Sequence, residues 1–167
     1  MCVVFMLVAA VGVQDAIAPP HVRTESADLR RLIVDGARRS ATFRGLLIAL
    51  DASDVTVYVR SRILPSGQLQ GRIGFAGSRS ARILVIELAC PRIADDQIAI
   101  LAHELRHAVE IAQAPSVVDA RTLGIYYEGL GAESRGGPGA WTFETREARE
   151  VGDRVRREMV SASETWR

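Results

Sequence analysis

Between Asp95 and Gln113, apolar residues occupy more than one side of a helical pattern, and this stretch constrains how the rest of the chain can fold. Ile98, Leu101, Ala102, Leu105, Val109 and Ala112 recur at three- and four-residue spacing, while Ile100 and Ile111 flank the face that carries His103 and His107. A helix apolar on both sides of its histidines is buried in its domain. Other elements must therefore pack around it, and the histidines are held inside. Asp95 and Asp96 open the helix and Ala114-Pro115 stops it.

The surrounding sequence supplies those elements. Residues 26 to about 50 read as one helix, with Leu29, Leu32, Ile33, Ala37 and Ala41 in phase and Ser26 as its N-cap; Gly36 and Gly45 are its weak points. Three strands follow: 55–59, 69–75 and 82–88, the last being the most apolar. Pro65-Ser66-Gly67 and residues 77–80 provide turns, so an antiparallel meander is expected. Residues 118–130 form a further helix, 131–139 a glycine-rich loop, and 143–159 a final amphipathic helix. The fold class is α+β: a small, mostly antiparallel sheet of three or four strands, an N-terminal helix, a buried central helix and a C-terminal helix.

Composition removes several functions. The 167 residues suit a single domain, and a net charge of +1 gives no footprint for nucleic acid or an anionic membrane. All 21 basic residues are arginine, which excludes lysine-based covalent chemistry. The two cysteines, Cys2 and Cys90, form no Cys-x-x-Cys pair, and Cys90 reads as a core thiol. An apolar run over 3–13 followed by Ala16-x-Ala18 has signal-peptide anatomy. Residues 1–18 are thus expected to be a signal peptide, 19–25 a linker and 26–167 the domain. The protein would be exported, with a cytoplasmic location as the alternative and no stable membrane insertion after signal removal.

The chemistry lies in His103-Glu104-Leu105-Arg106-His107. Residues four apart share a helix face, so both imidazoles can reach one metal ion, and the intervening carboxylate of Glu104 stands beside it as a general base. Catalytic zinc needs a third protein ligand and an open position for water. No histidine follows His107, and His21 lies beside the expected cleavage point, so a carboxylate is required. On the last helix Glu144 is in phase with Ala148, Val151, Val155 and Met159, which makes it the preferred ligand over Glu147 at the edge of that stripe. Glu110 reads as a solvated or ion-paired surface residue.

His103-Glu104-x-x-His107 on a helix, with a glutamate on a later one, resembles the gluzincin group of zincin metallopeptidases in a minimal-domain form. The resemblance implies one Zn2+ ion and hydrolysis of a peptide or protein substrate. It also implies an edge strand facing the substrate, for which Arg82, Leu84 and Ile86 are the candidates. The larger gluzincins often use a downstream His or Tyr to stabilise the oxyanion; no such His exists here, leaving Tyr126, Tyr127, Arg146 and Arg149. The alternative reading is a zinc-binding interaction domain without catalysis.

Overall fold

The computed structural model describes residues 21–63, 70–78, 81–89, 94–130, 133–135 and 142–164. The signal-peptide segment, Cys2, Cys90 and the Pro65–Gly67 turn lie outside these residues.

The expected N-terminal helix is two helices, α1 (Ala27–Arg39) and α2 (Ala41–Asp51). The break falls at Ser40 and not at either glycine. Ser40 adopts an extended conformation, and its side-chain oxygen accepts the Phe43 N–H at 2.9 Å. Glu158 reinforces the new N-terminus by accepting from the Thr42 N–H and hydroxyl at 3.1 and 2.6 Å. A capping serine backed by a carboxylate from a distant helix thus overrides a continuous helical pattern.

The sheet contains β1 (Val22–Arg23), β2 (Thr56–Arg62), β3 (Gly71–Phe75) and β4 (Ile83–Ala89), in the order β1-β2-β4-β3. Here the expected meander is corrected. β4 inserts between β2 and β3, parallel to β2 and antiparallel to β3, and β1 pairs parallel with β2. The sheet is mixed, with antiparallel pairing only at the β3 edge. The physical reason is burial: a strand buried on both faces reads as a near-continuous apolar run and belongs in the centre. Residues 22–23, read as linker, supply the opposite edge, and Val22 is buried. His21 Nδ1 donates to the Val55 carbonyl at 3.0 Å, which holds this strand in place.

Val57 and Val59 of β2 and Leu84, Ile86 and Leu88 of β4 enter the core with Phe43, Leu46, Leu47 and Leu50 of α2. The remaining elements are α3 (Ala94–Ala112), α4 (Ala120–Gly129), the hairpin β5 (Glu133–Arg135) and β6 (Thr142–Glu144), and α5 (Arg146–Glu164). α4 begins with a capping box between Asp119 and Thr122. α3 is the buried helix expected from the sequence, packed against α1, α2, α5 and the sheet. None of the described helices is long and apolar enough to cross a membrane.

Arg82, just before β4, is buried. Its guanidinium donates to the carbonyl of Ile111 in the last turn of α3 and to those of Ala114 (2.9 Å) and Val117 (3.0 Å) just beyond it, and it pairs with Asp54 at 2.7 Å. Arg82, Leu84 and Ile86 are therefore structural, correcting their expected role as a substrate-facing strand. They lie on or next to a central strand, and Leu84 and Ile86 are fully covered. The edge beside the site helix is β3.

On the other sheet face, Arg60, Arg62 and Arg72 converge on Glu87, whose side chain is 4% exposed. Burial alone would raise this carboxyl, but its hydrogen bonds to Arg62, Arg72 and Arg60 hold it at about 2. A carboxyl depressed on folding stabilises the protein above its unfolded value of 4.5, and that contribution disappears as pH falls toward 2. Because the arginines are half-exposed, about 1–3 kcal/mol is expected. Urea unfolding at pH 7, 4.5 and 3 should show this loss in the wild type, with a correspondingly flatter profile in Glu87→Gln.

Candidate metal centre

α3 places His103 and His107 one turn apart, with ring centroids 4.9 Å apart and planes at 80°. Glu144 is adjacent: its Oε1 lies 3.6 Å from His103 Nε2. One potential ligand atom from each of His103, His107 and Glu144 lies within 4.8 Å of the other two, close to the span of two zinc–ligand bonds of about 2.0–2.2 Å. The expected trio is brought together, but Glu144 arrives by a different route. It ends β6, and the helix starts only at Arg146. Thr145 interrupts the predicted helix: its hydroxyl accepts the Ala148 N–H at 3.1 Å. Glu147 is exposed on α5 and outside the group.

The surroundings orient both rings. α5 passes beside His103 at Gly152, where a Cβ would stand in ordinary contact, 3.4 Å from the histidine Cβ and from the Ala99 carbonyl oxygen. Burial, and then His107, hold the His103 imidazole down at about 4, so it is neutral at pH 7, the form that ligates metals. His107 is fixed from behind. Its Nδ1 lies 3.0 Å from Glu110 Oε2, and the Tyr127 hydroxyl is 3.2 Å from the same nitrogen. Burial would raise Glu110, but the His107 hydrogen bond leads a set of contacts that keep it below the ordinary carboxylate value. An ionised carboxylate only accepts, so His107 Nδ1 carries the hydrogen and Nε2 keeps its lone pair. That Nε2 is buried and has no hydrogen-bond partner among the described residues. A buried, unsatisfied acceptor facing a carboxylate and a second imidazole suits a divalent cation.

Glu104 lies on the sheet side. Gly71 opens β3 directly above it, and a Cβ at Gly71 would fall 2.8 Å from Glu104 Oε1. Burial, opposed by His107 and assisted by Glu144, pushes this carboxyl up to about 7.

Three of the four expected oxyanion donors are directed elsewhere. Tyr127 sits on the Nδ1 side of His107 and stacks on Phe143 with centroids 4.7 Å apart; burial raises its pKa. The Tyr126 hydroxyl reaches the Glu110 carbonyl at 3.4 Å, and Arg146, 78% exposed, pairs with Glu150. Arg149 is the cation beside the group, 3.8 Å from Glu144 Oε1. Glu110 is corrected from surface residue to buried anchor. It stands three residues after His107 and seven after His103, so the spacing that paired the histidines also put it on their face. Gly71 carried no local signal, because its role is set by what lies across from it.

Comparison with protein-family models, curated proteins and solved structures finds no match to this chain.

Proposed function

We propose that this protein is a zinc-dependent hydrolase of peptide bonds, with His103, His107 and Glu144 holding the ion and Glu104 as general base. The observation that carries this reading is the convergence of two imidazoles and a carboxylate within 4.8 Å, with the unsatisfied His107 Nε2 buried among them. When bound, zinc supplies Lewis acidity that makes water nucleophilic near neutral pH and polarises a substrate carbonyl. The chain's own residues do the rest. The Glu104 carboxylate takes a proton from the attacking water and passes it to the departing amine. Gly71 leaves room for that carboxylate, and the buried walls around it limit competing solvent.

The test combines metal analysis with cleavage of a mixed peptide library, with and without a chelator. About one zinc per chain, chelator-sensitive cleavage, and zinc lost in Glu144→Ala but kept in Glu147→Ala are expected. A folded protein that binds no zinc refutes the proposal. The second reading, a zinc-stabilised interaction domain, is favoured by one observation: Tyr126, Tyr127 and Arg146 all point away from the ligand atoms. It predicts unfolding on chelation with no cleavage at any zinc occupancy.

A further inference from the structure

Glu110 is buried behind the ligand group and has no part in the chemistry above. Its two oxygens face different elements. Oε2 receives His107 Nδ1 at 3.0 Å, and Oε1 receives the Thr145 hydroxyl at 3.0 Å, with Arg106 Nε at 3.5 Å. Thr145 directly follows Glu144, so this hydrogen bond fixes the backbone one peptide away from the carboxylate ligand. The same hydroxyl caps the first turn of α5 through Ala148, whose backbone in turn contacts His103. One carboxylate therefore touches the support of every member of the group: His107 directly, Glu144 through its neighbour, and His103 through the start of α5.

We infer that Glu110 is a positioning residue that assembles the ligand set, joining the helix that carries both imidazoles to the strand end that carries Glu144. This rests on the metal-binding reading above. Its hydrogen bond to Nδ1 leaves the Nε2 lone pair for the cation, and its hydrogen bond to Thr145 sets how far Glu144 stands from the two rings. A surface carboxylate paired only with Arg106 would do neither.

The experiment measures zinc affinity by competition with a chromophoric chelator. Co2+ loaded in place of zinc reports ligand geometry through its visible absorption. Both are measured on the full-length wild type and on Glu110→Gln, Glu110→Ala and Thr145→Val, while circular dichroism of the metal-free proteins reports the fold. Glu110→Gln is expected to fold and to lose about 10- to 100-fold in zinc affinity, the usual cost of removing the partner of a ligating histidine. Thr145→Val, which leaves the His107 hydrogen bond intact, should alter the Co2+ spectrum and weaken zinc binding by a smaller factor. A folded Glu110→Gln with wild-type affinity and spectrum overturns the inference. If the Glu110 variants do not fold, Thr145→Val decides, and wild-type behaviour there overturns it equally. Wild-type protein that takes up neither metal removes the metal-binding reading itself. Tight binding unaffected by the variants removes only the role of Glu110.

Discussion

Glu104→Gln is expected to keep its zinc and lose turnover, with kcat falling by about 10²- to 10⁴-fold, the range for loss of a general base. The substitution is nearly isosteric, and Glu104 is outside the ligand trio, so the two imidazoles and Glu144 are left in place. What disappears is an acceptor for the proton of the attacking water. Because the side chain is buried against Gly71, no solvent-borne group readily substitutes for it. KM should change little, since an amide in the same position still fills the space. Zinc content by atomic absorption, together with kcat and KM on one cleaved peptide, gives the answer. A Gln variant that turns over at the wild-type rate rules out Glu104 as the base.

The second large effect comes from a residue with no functional group. Gly71→Ala puts a methyl 2.8 Å from Glu104 Oε1 and 2.9 Å from Ile100 Cγ2, both closer than carbon atoms in folded proteins approach. Something must move. Ile100 is packed on α3, so the carboxylate gives way first and leaves its position beside the ligands. Displacing a reacting group by about 1 Å can cost on the order of 10²-fold in rate, and overpacking of this kind costs about 1–3 kcal/mol in stability. The expected phenotype is a folded protein with wild-type zinc affinity and kcat reduced on the order of 10²-fold. Equal activity in Gly71→Ala and the wild type would show that the close approach of β3 has no bearing on the base. The contrast with Glu110→Gln is informative: one variant should change rate without metal affinity, and the other should change affinity first.

What the sequence disclosed depended on whether a residue's role is set by its near neighbours. The helix of His103 and His107 was readable because its apolar residues repeat along a single segment, and α4 was readable as a helix within 118–130, although its Asp119–Thr122 capping box was not. The locations of β2, β3 and β4 were readable as well, whereas β1 was read as linker, β5 fell in the expected glycine-rich loop and β6 overlapped the start of the expected last helix. Strand order was not readable, because pairing is chosen among distant partners; the near-continuous apolar run of β4 was the available sign that it lies centrally. Glu144 was reached through a helical phase that the structure replaces with a strand end and a threonine cap. Glu110 was misread although its spacing from the histidines was in plain view, since a charged residue beside an arginine one turn away resembles an ordinary surface pair. The division of the old N-terminal helix at Ser40 needed Glu158, more than a hundred residues away.

Helix ends ordinarily fray, because their last four carbonyls have no internal partner. At the end of α3 a guanidinium rooted beside the central strand takes hold of the Ile111 oxygen and, in the turns just beyond the helix, of the Ala114 and Val117 oxygens. Peeling back the final turn of the helix together with residues 113–117 would strand that cation in the interior with Asp54 as its remaining partner. The segment bearing the two imidazoles and the strand behind it consequently melt as one cooperative unit, and hydrogen exchange at the amides of 108–112 should proceed only through opening of the whole core.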